Sequence, residues 1–123
     1  MSLSSFIIVP KTVYGEPSGE YDGSSLNWNT LPIKASDYYR YTGIETVYFN
    51  VVDFTGLITI QGTHDQNPDY NSPWVNIIEY GDLNDPTPVT DYHPVTLFGN
   101  WAWVRAQVQN FESGEIKAVT LVY

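Results

Sequence analysis

The sequence predicts an all-β protein: an antiparallel β-sandwich of seven to eight strands, jelly-roll-like or immunoglobulin-like. Three observations predict it. No stretch of ten or more residues carries the 3.6-residue apolar period of an amphipathic helix. Short runs rich in β-branched and aromatic residues recur at roughly even spacing. Clusters of Gly, Pro, Asn and Asp separate those runs. At 123 residues the chain fits one domain, residues 1–123, and such a domain can bury a core without disulfides. It has no Cys, so thiolate chemistry and a Cys-Trp-Cys immunoglobulin framework are both excluded.

The elements follow in order. Ser5-Phe-Ile-Ile-Val9 is a short apolar run closed by Pro10, which suits an edge strand because Pro cannot donate to a ladder. Residues 15–25 are loop by composition. Leu26–Ala35 holds a short strand that Pro32 places at an edge. Tyr38, Tyr39 and Tyr41 cluster around Arg40; each ring has an apolar body and a polar tip, which serves packing or a ligand platform. Ile44–Val52 is the strongest strand sequence. Asp53-Phe-Thr-Gly56 reads as a turn, and Leu57–His64 as the antiparallel partner of Ile44–Val52. Residues 65–73 are loop, Trp74–Tyr80 is a strand, and residues 81–88 are again loop. Val89–Phe98 holds another strand, interrupted or bounded at Pro94.

Residues 99–111 show the cleanest alternation. Ala102, Val104, Ala106 and Val108 make one face; Trp101, Trp103, Arg105, Gln107 and Gln109 make the other. This run is expected to be the central strand. The Ala/Val face looks too thin to build a core, so the Trp face is expected to point inward, with Arg105 reaching the rim. Glu112-Ser-Gly114 then reads as a turn before a last strand over Glu115–Tyr123.

The chain carries 14 acidic residues against 5 Lys and Arg, a formal charge of −9. Between Arg40 and Arg105 there is no Lys or Arg, yet Glu45, Asp53, Asp65, Asp69, Glu79, Asp82, Asp85 and Asp91 lie there. Such a surface repels phosphate backbones, so nucleic acid is not an expected partner. No run approaches 18 apolar residues and the N-terminus lacks signal-peptide character, so neither a membrane partner nor a secretory leader is expected.

No catalytic signature stands out, and no enzyme activity or cofactor is expected. Asp65, Asn67 and Asp69 place oxygen ligands at alternate positions, as a calcium loop does. But Tyr70 stands where an EF-hand needs Gly and Asn76 where it needs Glu, so they read as turn formers. His64 and His93 have no metal or acid–base spacing around them and read as exposed loop-edge residues. Fourteen carboxylates make some glycosidase-like pair inevitable, but short loops offer little cleft. The binding candidates are therefore Trp101, Trp103, Arg105, Tyr38, Tyr39 and Tyr41, as an interface or as stacking platforms for sugar rings.

Three stretches carry a resemblance. They are Gly56–Asp65 with its closing phrase Gln61-Gly-Thr-His-Asp65, Trp74-Val75 after a Pro-rich loop, and Phe98–Val108 together with Gly114–Leu121. Over residues 44–123 they resemble the small β-sandwich virion proteins of tailed phages, especially T4-like phages of marine cyanobacteria. Gly62 and His64 depart from the family phrase, where Ala and Leu are expected. The resemblance implies a non-enzymatic virion structural protein, a head, neck or tail component assembled in the host cytoplasm. Its expected partners are other virion proteins or copies of itself in a homo-oligomer. The alternative is a carbohydrate-binding or host-surface adhesin module.

Overall fold

A computed structural model describes residues 4–39, 45–69 and 71–123. The chain is all-β, with one 3-10 turn at Ser36–Tyr39 among the described residues. The described residues hold eight strands: β1 (Ser5–Val9), β2 (Thr12–Val13), β3 (Trp28–Asn29), β4 (Ile33–Lys34), β5 (Glu45–Thr63), β6 (Val75–Gly81), β7 (Val89–Leu97) and β8 (Trp103–Val122). They form one antiparallel sheet organised on the β5–β8 ladder.

Two expected turns are not turns. Asp53–Gly56 and Glu112–Gly114 lie inside β5 and β8, and Thr55 stands opposite Ser113. The expected hairpin between 44–52 and 57–64 therefore does not form. Ile58 instead pairs with Val108 on one side and Tyr80 on the other. The turn-like residues do use turn backbone: φ is 49° at Asp53, 130° at Gly56, 53° at Asn110 and 90° at Gly114. These left-handed positions coincide with register shifts between Val52 and Leu57, so they make bulges that bend both strands at the same level.

The bend divides the sheet into two leaves that share two strands. In one, residues 46–52 of β5 lie between β7 and the C-terminal half of β8, with β1 and β2 beyond. In the other, residues 57–63 lie between β6 and the N-terminal half of β8, with the short β3 and β4 beyond, split around Pro32. Both leaves contribute to one core. Phe49 of the first stacks on Tyr80 of the second at 4.8 Å, and Tyr80 Oη donates to Asp91 on β7 at 3.1 Å. Burial first, and the Asp91 carboxylate next, push the Tyr80 phenol up to about 12. At the opposite side Tyr123 Oη donates to the Lys34 carbonyl at 3.1 Å.

Sequence explains which side chains point inward. Val47, Phe49 and Val51 alternate into the core from one half of β5, and Ile58 and Ile60 from the other. Pro94 does not interrupt β7. Among the described residues that strand pairs with β5 alone and so lies at a sheet edge, where a residue without an N–H is tolerated.

Candidate functional site

The inner face of β8 is the Ala/Val face, the reverse of the expectation from residues 99–111. Ala102, Val104, Ala106 and Val108 are fully buried. They can be thin because larger groups share the same core: Tyr21, Phe49, Phe54, Ile58 and Ile60 from other elements, and Phe111 further along β8. Small side chains on a central strand thus mark dense packing against large partners rather than a surface.

The expected strip of Trp101, Trp103 and Arg105 is also split. A bend at Ala102 precedes β8, so the alternation does not extend back to residue 101. Trp101 lies on the core side, beside Gly62, whose register partner is the buried Val104. A Cβ on Gly62 would meet the Trp101 ring at 2.7 Å and Ile77 Cδ1 at 2.6 Å, which accounts for glycine at this position. His64 stacks on the same indole at 4.5 Å and 14°. Trp101 is therefore a packing residue, and its Nε1 donates to the Phe98 carbonyl at 2.7 Å.

Trp103 and Arg105 face outward on the second leaf. The register sets adjacent rows: Lys34, Trp103 and Thr63 in one, Arg105, Gln61 and Asn76 in the next, then Asn29, Gln107, Thr59 and Glu79. In the first row Tyr38 meets Trp103 edge-to-face at 5.4 Å, and Lys34 Nζ stands 4.4 Å over the Tyr38 ring. Trp103 Nε1 donates to the Gln66 carbonyl at 3.0 Å, which ties the strand to the 65–73 loop. In the second row Arg105 Nε donates to Gln61 Oε1 at 2.7 Å, and Gln61 Nε2 donates to Asn76 Oδ1 at 2.8 Å. The guanidinium lies 4.4 Å over the Trp74 ring. Partial burial lowers the Arg105 pKa, but guanidinium remains charged at any physiological pH.

This face brings together Tyr38, Trp103 and Arg105 of the sequence candidates. The side chain of Tyr39 and all of Arg40 and Tyr41 lie outside the described residues. Lys34, Gln61, Trp74 and Asn76 belong to the same face and were not legible as site residues. Their membership depends on cross-strand register, which the sequence does not display before the ladder is known.

The loop oxygens at 65–69 have local duties. Asn67 N donates to Asp65 Oδ1 at 3.1 Å, Ser72 Oγ to Asp65 Oδ2 at 2.8 Å, and Asn71 N to Asp69 Oδ1 at 2.8 Å. The two amide bonds are Asx-type turns, and the Ser72 hydroxyl closes the loop on itself. Among the described residues no group of three or more His, Cys, Asp or Glu is arranged to hold a metal ion. His93 lies 4.0 Å from Asp91 on the exposed part of β7.

Comparison of the chain with protein-family models, with curated proteins and with solved structures found no match in any of the three.

Proposed function

We propose that the chain is a non-enzymatic structural component of a tailed-phage virion that acts through protein–protein contacts, and we read its two facing leaves as the sandwich expected from the sequence. The observation that carries this reading is where the resemblance-bearing phrases fall. Gly56–Asp65, Phe98–Val108 and Gly114–Leu121 together span most of the β5–β8 ladder, with Gly62 against Trp101 and Val104, Ala106 and Val108 in the core. They are positions that specify a fold, as expected of a protein whose work is shape and assembly rather than chemistry. Large apolar side chains left in solvent, Phe98 at 78%, Leu31 at 68% and Tyr92 at 62% exposure, give neighbouring subunits something to cover. The test is mass spectrometry of purified particles of the phage that encodes the chain. The protein is expected in them at fixed stoichiometry, and its absence from them overturns the proposal.

One observation favours a second reading, glycan binding: Trp103, Tyr38 and Trp74 lie on one outer face beside the amides of Asn76 and Gln107, with Gln61 buried beneath. Aromatic planes flanked by amides suit sugar rings. On this reading Trp103→Ala weakens binding on a glycan array by roughly tenfold, the worth of one stacking contact. Trp101→Ala is not a test of it, because that indole packs on the core side.

A further inference from the structure

We propose that Arg105 is a prepared docking point for a carboxylate of a second copy, presented by the loop between β6 and β7, so that copies associate head to tail. The proposal deepens the assembly role just given and rests on it. Its first support is how Arg105 is held. Gln61 fixes Nε, Asn76 fixes Gln61, and Trp74 underlies the guanidinium plane. The side chain is ordered before anything binds, so little rotamer entropy is left to lose. Its second support is what surrounds it. The chain has 14 carboxylates for 5 Lys and Arg, yet among the described residues no carboxylate lies within ion-pair distance of Arg105. Its cross-strand neighbour Gln61 and the next residue of that row, Asn76, are neutral amides. The terminal guanidinium nitrogens have no acceptor among the described residues.

The complement lies on the same chain. Residues 45–104 contain no Lys or Arg, and Asp82, Asp85 and Asp91 are exposed there. Asp82 Oδ1 accepts from Asn84 N at 2.8 Å and Asp85 Oδ1 from Thr87 N at 2.9 Å. Those bonds hold each carboxylate in place, and the Thr87 hydroxyl adds to the hold on Asp85. The amide of Thr87 also keeps Asp85 below the usual carboxylate range, so it stays charged. The loop cannot serve its own Arg105. Gly81 pairs with Leu57, four residues along β5 from Gln61, or roughly 13 Å at the rise of a strand. A contact between two different patches is heterologous, and repeated it gives a ring or a filament. Those are the shapes virion components build.

Sedimentation of the full chain at low and high salt tests this. At low salt the native protein is expected to grow beyond dimers with concentration, and salt is expected to reverse the growth. Arg105→Gln and the double variant Asp82→Asn/Asp85→Asn each remove one side of the contact and are expected to weaken association at least about tenfold. Mixed in equal amounts, the two variants are expected to form dimers and stop, because each pair retains one intact contact. Near-UV circular dichroism checks that both are folded, and the loop variant stands alone should Arg105→Gln misfold. A native chain that stays monomeric at low salt, an Arg105→Gln protein that associates like the native one, or a mixture that stays monomeric overturns the proposal. A chain found in particles yet monomeric in solution leaves the virion role standing. A chain that self-associates but is missing from particles does the reverse.

Discussion

Gly114→Ala is expected to destabilise the protein by about 4 kcal/mol, adding backbone strain and steric overlap. Gly114 has φ +90°, and a Cβ there would lie 2.1 Å from the Asp53 carbonyl oxygen and 2.6 Å from that of Val52. Both atoms are backbone, so no rotamer change relieves the contact. The strand cannot simply shift, because the site is where β5 and β8 bend together, with Thr55 opposite Ser113. A domain of this size has a total stability of about 5–15 kcal/mol, so the loss is a large fraction of it. Gly15→Ala is the control. It has nearly the same φ, +89°, but nothing within 4 Å of the added carbon. It is expected to cost only the strain, about 1–2 kcal/mol. Urea unfolding of both variants separates the terms, and equal losses would show that the close approach at the bend does not exist in solution.

That bend is also where reading the sequence went furthest astray, for a physical reason. Asp53-Phe-Thr-Gly56 and Glu112-Ser-Gly114 have the residues a hairpin turn needs, because a bulge and a turn draw on the same left-handed backbone. Local chemistry announces that the chain departs from a regular strand; it does not say whether the chain reverses. Reversal is decided by the partners. Here each half of β5 finds a half of β8, so both strands run through. By contrast, the all-β class, the edge strand before Pro10, the β6 strand and the β7 strand were legible, since alternation and breakers are local signals.

The same distinction explains the candidate face. Alternation separated Val104, Ala106 and Val108 from Trp103 and Arg105 correctly, but not which set was inside. Side-chain size argued for the tryptophans. Volume is conserved across the whole core rather than residue by residue, and Ala106 shares its core with the large rings of Phe49, Phe54 and Phe111. Trp101 was grouped with Trp103 and Arg105 because alternation was extended past the bend at Ala102; it lies inward, as expected of it, and they do not. Tyr38 and Trp103, by contrast, were both singled out, and the fold brings their rings to 5.4 Å.

Phe111→Ala should be the most damaging side-chain truncation, at about 3–5 kcal/mol. The ring is fully buried and lies within 5.8 Å of four other aromatic rings: Tyr14, Tyr21, Trp28 and Phe54. Three of those four come from residues 14–28, a stretch whose regular pairing among the described residues is limited to the start of β3 and the Ser18–Tyr21 bridge. Phe111 is thus the anchor by which that N-terminal stretch closes over the sheet. Its backbone takes part too, since Phe111 N donates to the Leu26 carbonyl at 3.0 Å. Two consequences separate this role from ordinary cavity formation. Phe111→Leu should recover more than half of the loss, because volume is mostly restored. Amide exchange in residues 14–28 should accelerate in Phe111→Ala more than exchange in β5, since the ladder keeps its own hydrogen bonds. Uniform acceleration across both regions would mean that the ring stabilises the whole core and does not specifically hold the N-terminal stretch in place.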